Sequence, residues 1–211
     1  MKKEELEKTI YQRLDYYSDR FKEDGPCGAK QNGCRDGSCD SKRRHFTDKN
    51  LYHNYAEFYS KLISDLAADK DKFSLLELGV ARGGSIAAWC ESMPFAFVCG
   101  VDKDTSLLWI DKDKYSNLLI LQGMHGSRNT YQQIENKKFD IIIDDGSHQA
   151  SEQKENFSIL QEFIADGGVY VIEDVYPSNT YDQDFLAKFE LLDFSSKTGR
   201  FDDRVLVYKK S

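Results

Sequence analysis

Asp144 and Asp145 close one apolar run, "FDIIIDDG" at residues 139–146, and Glu173 and Asp174 close another, "GGVYVIED" at 167–174. Carboxylates are costly to bury, so two such pairs ask for a chemical reason. Brought together, they would repel one another unless some take up protons or a cation sits among them. Hard oxygen donors of this kind suit magnesium, held by a few carboxylates with water and substrate oxygens. His148 follows the first pair in "DDGSH". A loop histidine with an unperturbed pKa of about 6.5 is suited to act as a base near neutral pH.

The elements that must position these groups are legible as apolar runs. They lie at residues 73–79, 95–102, 117–123, 139–146, 167–174, 188–194 and 204–210. The first five are continuously apolar, as strands buried on both faces must be, and helical stretches separate most of them. The last two are close together, which predicts a hairpin ending the sheet. The expected fold is therefore α/β: a Rossmann-like, seven-stranded doubly wound sheet with a terminal antiparallel hairpin and an N-terminal helical extension. A first helix is expected over "EELEKTIYQRLDYYSDRF", with Leu6, Ile10, Leu14, Tyr17 and Phe21 on one face. A second is expected over residues 50–69, with Leu51, Tyr55, Phe58, Leu62, Ile63 and Leu66 facing the core. The chain divides into an extension (1–68) and a catalytic body (69–211). The run "VYPSNTYDQDF" (175–185) reads as a lid carrying Tyr176 and Tyr181.

In such a sheet ligands gather at the carboxyl ends of the strands. The first strand runs into Glu77-x-Gly79-x-x-x-Gly83-Gly84-Ser85, glycines that turn the chain sharply beside a ligand. The pattern departs from the G-x-G-x-x-G of dinucleotide sites, and the acid beside it suits a cationic ligand better than a diphosphate. Asp102 ends the second strand, placed to take ribose hydroxyls. Side chains alternate along a strand, so Asp144 is expected on the cofactor side and Asp145 on the metal side.

Glu77-Leu-Gly79 with Gly83-Gly84-Ser85, Asp102, and Gln122-Gly123 closing the third strand resemble a class I S-adenosylmethionine-dependent methyltransferase. "FDIIIDDGSH" and "GGVYVIEDV" are similar to the magnesium-dependent sugar O-methyltransferases of macrolide biosynthesis, the macrocin/mycinamicin type. The cephalosporin hydroxylase family is similar in the same motifs. The resemblance covers residues 73–176, with a weaker echo in "FTDKNLYHNYAEFY" (46–59). There Asn50 stands in place of the family's glycine, so Asp48 and Lys49 are given no role. The resemblance implies that Gly79, with Ser85 after the loop, admits the cofactor, that Glu77 lies near its methionine end, and that Asp102 binds its ribose. It implies that Gln122, Gly123 and Met124 flank the adenine, Met124 replacing a usual acid. It also implies Asp145, Glu173 and Asp174 as metal ligands and His148 as base. The reaction expected is methyl transfer from S-adenosylmethionine to a sugar hydroxyl, with Mg2+ as second cofactor.

Composition narrows the partners. The net charge is −7; the first 50 residues hold 12 Lys/Arg and 10 Asp/Glu, leaving 17 and 26 for the rest. A body that acidic is a poor match for nucleic acid. No apolar stretch suits a membrane span, and the start "MKKEELEKTIYQ" lacks a signal peptide's apolar core. A cytoplasmic protein with a small-molecule or sugar substrate is expected, and the opening helix would suit a homo-oligomer contact. No further C-terminal domain is expected to define the acceptor. Cys27, Cys34 and Cys39, with His45 nearby, are spaced C-x6-C-x4-C without C-x-x-C pairs, so a loop with three thiols competes with a zinc knuckle. Two other functions compete. A hydroxylase with non-heme iron would need a 2-His-1-carboxylate set, drawn from His45, His53, His125 and His148. A non-catalytic cofactor-binding module would not need the acids and His148 together.

Overall fold

Parallel strands buried on both faces are built from unbroken apolar runs, and a computed structural model places five of them side by side. It describes residues 1–23, 47–50, 53–68, 70–108 and 110–211, with side chains throughout except at 19–23 and Lys112. Cys27, Cys34, Cys39 and His45 lie outside the described residues, and so do Phe46 and Leu51.

The strands are β1 (Phe73–Leu78), β2 (Ala96–Asp102), β3 (Leu118–Gln122), β4 (Phe139–Asp144), β5 (Ile164–Ile172), β6 (Glu190–Asp193) and β7 (Arg204–Lys209). They form one sheet in the order β3-β2-β1-β4-β5-β7-β6. The first five run parallel, and β7 is antiparallel to both β5 and β6. From β1 the chain winds outward to β2 and β3, then returns to β4 on the other side. That reversal leaves a crevice beyond the ends of β1 and β4, the place where open α/β sheets bind ligands.

The helices α1 (Lys3–Glu23), α2 (Tyr55–Ala67) and α3 (Gly84–Ser92) cover one face, and α4 (Ala150–Leu160) covers the other. Strand alternation divides the core accordingly. Phe73 and Leu75 of β1, Ile141 and Ile143 of β4, and Val169 and Val171 of β5 join α1, α2 and α3 in one cluster. Leu76, Leu78, Ile142, Tyr170 and Ile172 join Phe157 and Leu160 of α4 in the other.

Two expectations are corrected. β3 is an edge strand and only Leu121 within it is buried, so its apolar run is not covered on both faces. The second helix begins at Tyr55, not residue 50, and its buried face is Tyr55, Ala56, Tyr59, Ser60, Ile63, Ser64 and Ala67. Phe58, Leu62 and Leu66 are only partly buried beside that face. The hydroxyls of Ser60 and Ser64 donate to the carbonyls of Glu57 and Lys61, which lets polar residues occupy inward positions.

Candidate active site

The chain leaves β1 through a turn that only glycine can make. Gly79 has φ 82°, and a Cβ there would sit 1.9 Å from the carbonyl oxygen of Asp145. The next turn residue, Ala81, is left-handed at φ 48° and donates its N–H to Asp102 Oδ2 at 2.8 Å. Asp104 N donates to Asp102 Oδ1 at 3.0 Å, so backbone donors hold both oxygens of Asp102 in place. Beyond this turn lies a cavity of about 550 Å3 lined by Gly79, Ala81, Asp102, Met124, His125 and Asp145, among others. Of the residues expected at the cofactor, Gly79, Asp102 and Met124 line it.

The others do not line it. Gln122 accepts the Thr105 hydroxyl at 2.9 Å, and Gly123 is packed against Thr130, whose Oγ1 lies 2.4 Å from where a Cβ would be. Ser85 is buried in the first turn of α3. Glu77 is fully buried, with Trp89 Nε1 donating to Oε2 at 2.8 Å and Lys49 Nζ 3.4 Å from Oε1. Burial raises its pKa against the opposing pull of Lys49.

Alternation sorts the acids at the ends of β4 and β5. The ladder continues one residue past each strand, with Asp145 N donating to Leu78 O at 3.1 Å and Glu173 N to Asp144 O at 3.0 Å. Asp144 therefore points to the α4 face. It is fully buried and accepts from Tyr170 Oη at 2.9 Å and Asn156 Nδ2 at 3.1 Å. Burial raises its pKa to about 6 despite those donors. It braces the turn from behind the cavity wall.

Glu77, Asp145 and Glu173 point to the α2 face, where Lys49 meets them. Its ammonium, fully buried, lies 2.6 Å from Glu173 Oε1 and 2.9 Å from Asp145 Oδ2. Tyr59 Oη donates to the same Glu173 oxygen at 2.6 Å. Asp174 joins this side by breaking the alternation: its φ is 52°, and Tyr55 Oη donates to its Oδ1 at 3.0 Å. Sequence reasoning missed Lys49, Tyr55 and Tyr59 as site residues. The signals were the weaker family echo at 46–59, which contains all three, and a pair of tyrosines four apart on one helix.

His148, also left-handed at φ 59°, completes the group. Its Nε2 is 3.3 Å from Asp145 Oδ1 and its Nδ1 3.6 Å from Asp174 Oδ2. Each left-handed non-glycine residue costs on the order of 1–3 kcal/mol, and Ala81, His148 and Asp174 follow the carboxyl ends of β1, β4 and β5. Among the described residues, ligand atoms of Asp145, His148 and Asp174 lie within 4.8 Å of one another, a spacing that fits one metal ion. Glu173 is outside that group. The set has one histidine and two carboxylates, not the two histidines of a non-heme iron site. His53 approaches Asp174 Oδ1 to 3.4 Å without joining the group, and His125 lines the cavity.

Charge in the cluster is tightly shared. Burial raises Asp174 to about 8, with the Asp145 charge adding to the effect, and burial likewise lifts Glu173 well above the carboxylate range. Burial would raise Asp145 too, but Lys49 and His148 hold it below its ordinary value. For His148, burial is outweighed by the hydrogen bond and charge of Asp145 and by Asp174, which raise it to about 9. Above it, Asn179 Nδ2 donates to His148 O at 3.1 Å, and the rings of Tyr176 and Phe201 extend outward from the imidazole.

Comparison with known proteins agrees with this architecture. Residues 76–175 match the family model of a methyltransferase domain. The chain is 32% identical over 143 residues to an 8-demethyl-8-(2-methoxy-alpha-L-rhamnosyl)-tetracenomycin-C 3'-O-methyltransferase of Streptomyces olivaceus, covering 63% of this chain and 35% of that protein. It is 30% identical over 145 residues to the mycinamicin VI 2''-O-methyltransferase of Micromonospora griseorubida, covering 63% and 34%. The chain thus spans about a third of the length of these curated relatives. In structure it is similar to the MycE methyltransferase solved with Mg, SAH and mycinamycin VI, at TM-score 0.55 and 22% identity over 74% of this chain and 49% of that one. Aeropyrum pernix fibrillarin, solved with S-adenosyl-L-methionine, superposes at TM-score 0.51 and 18% identity, covering 66% and 67%. At such identities the likeness shows the fold. No described helix is long and apolar enough to cross a membrane. Residues 76–175 thus match the model of a methyltransferase domain, on a Rossmann-like fold shared with solved methyltransferases, in a chain that resembles the sugar O-methyltransferases of the mycinamicin and tetracenomycin type.

Proposed function

We propose that the chain transfers a methyl group from S-adenosylmethionine to a hydroxyl of a sugar, with a divalent ion at its acidic cluster. The observation that carries this reading is the meeting of Asp174 and His148 with Asp145, which itself lines the cavity together with Gly79 and Asp102. Relatives that methylate the sugars of glycosylated natural products, and a structural neighbour solved with Mg and SAH, support it.

In this reading residues 69–211 bind the cofactor. Asp102, its oxygens already oriented by Ala81 and Asp104, takes the ribose hydroxyls. Gly79 lets the backbone approach, and Gln122, Gly123 and Met124 border the adenine. Glu77 and Ser85 support the methionine end from beneath, and Asp144 braces the loop that ends in His148. Asp145 and Asp174 hold the ion, and Glu173, outside the metal-spaced group and bound to Lys49 and Tyr59, backs them as third carboxylate. When bound, Mg2+ would supply positive charge that favours the deprotonated acceptor oxygen.

His148 removes the acceptor proton. The two carboxylates beside it favour its charged form, so it is a stronger base than a free imidazole once its own proton has left. Tyr176 and Phe201 border the acceptor side. Much of the acceleration comes from holding the acceptor oxygen and methyl group about 3–3.5 Å apart, in line.

The test is direct. Purified protein given S-adenosylmethionine and sugar-bearing acceptors should form methyl ether, stop in EDTA and recover with Mg2+. Activity indifferent to EDTA would sink the metal assignment, and iron as the native metal would favour a hydroxylase.

A further inference from the structure

The carboxylates of the cluster are held from two sides. Asp145 gives Oδ2 to Lys49 and turns Oδ1 to His148; Asp174 gives Oδ1 to Tyr55 and turns Oδ2 to His148. Glu173 gives Oε1 to both Lys49 and Tyr59. Every one of these inner partners comes from residues 49–59, a segment that the family pattern at 76–175 does not include. Tyr55 and Tyr59 are neutral donors. Lys49 is the one cation in this inner layer, with its side chain 1% exposed.

A buried ammonium is costly, and neutral donors would suffice merely to orient oxygens. A divalent ion alone could also compensate the acids, at the expense of a cluster that could not assemble without it. We propose that Lys49 is a resident counter-ion: it balances part of the charge of Glu77, Asp145 and Glu173, so that the fold forms before any metal arrives. Its charge also competes with the metal and keeps the divalent ion exchangeable. Lys49 is thus a positioning residue whose influence reaches the ion through Asp145 and Glu173. This rests on the divalent-ion reading of the site given above.

The role separates from a purely structural one by its sign. A tether, when removed, loosens the ligands and weakens metal binding. A competing charge, when removed, strengthens it. The experiment is calorimetric titration of the full chain with MgCl2, without cofactor, for wild type, Lys49→Met and Lys49→Gln. Thermal melts in EDTA and in Mg2+ accompany it. Loss of Lys49 should tighten Mg2+ binding by about tenfold or more and enlarge the Mg2+-induced rise in melting temperature. Tyr59→Phe, which removes a donor but no charge, should not tighten it.

Unchanged or weakened Mg2+ affinity in both Lys49 variants overturns the proposal. Should the variants fail to fold in EDTA, recovery of soluble protein by Mg2+ supports it, and failure in both buffers overturns it. Asp174→Asn separates the two readings. If wild type binds Mg2+ and Asp174→Asn does not, the site stands, and the Lys49 titrations decide the inference alone. If neither wild type nor the Lys49 variants bind Mg2+, the divalent-ion reading fails and the inference fails with it.

Discussion

Lys49 Nζ lies 2.6 Å from Glu173 Oε1, and 124 residues of chain separate them. The pair joins the segment before α2 to the end of β5, and Tyr59 donates to the same oxygen. Hydrogen bonds to charged groups contribute roughly 1.5–3 kcal/mol each. Tyr59→Phe should therefore lower the unfolding free energy by about 1–3 kcal/mol in urea titrations. Tyr55→Phe, which removes the donor to Asp174, should cost a similar amount. Since both belong to one network, the double variant should depart from additivity. Losses within error of zero for both would show that these hydroxyls carry no strain-free bond to the acids.

The raised pKa values of His148 and Asp174 make stability depend on pH. His148 is raised to about 9 and Asp174 to about 8, both above their values in an unfolded chain. A group with a raised folded pKa stabilises the fold while its proton is held and loses that contribution as pH rises through the folded pKa. Metal-free protein should thus melt several degrees lower at pH 9.5 than at pH 6.5. His148→Gln should flatten the upper part of that fall. A melting temperature that is constant or rising over this range contradicts the raised pKa values of His148 and Asp174.

Gly79→Ala would place a methyl group 1.9 Å from Asp145 O while holding φ at 82°. The turn must move, and Asp145 with it. The expected outcome is a loss of about 2 kcal/mol or more in stability, together with weaker binding of S-adenosylhomocysteine in calorimetry. Normal cofactor affinity in this variant would place the cofactor elsewhere.

His148→Gln should divide binding from chemistry. The side chain is assigned to the acceptor proton, so kcat should drop by about 10²–10⁴-fold while S-adenosylhomocysteine affinity stays within a few fold. Loss of cofactor binding alongside activity would make His148 a cofactor contact.

Much of the sheet was legible because parallel strands covered on both faces are written as unbroken apolar runs. The runs at 73–79, 95–102 and 139–146 became β1, β2 and β4 within a residue or two. The same rule misled at β3, since a local run carries no information about which strand ends at an edge. The face of α2 was misread because Ser60 and Ser64 turn inward with their hydroxyls satisfied by the helix itself. At the site, alternation alone separated Asp144 from Asp145. It could not foresee Asp174, whose left-handed backbone returns it to the α2 side. Lys49 was legible only in the family echo at 46–59, where Asn50 in place of the glycine spoke against it; its partners Asp145 and Glu173 are 96 and 124 positions away, and no local period records such a meeting.

The inner partners of the acids have a consequence for how such a protein could be divided or recombined. A graft carrying only the stretch that matches the methyltransferase family would bring along the glycine turn, Asp102, both acidic pairs and His148. It would leave behind Lys49, Tyr55 and Tyr59. The recipient would inherit both acidic pairs and His148, but not the side chains that hold Asp145, Glu173 and Asp174 from within. The heritable pattern and the working unit therefore have different borders, and the second is drawn by hydrogen bonds to residues 49–59.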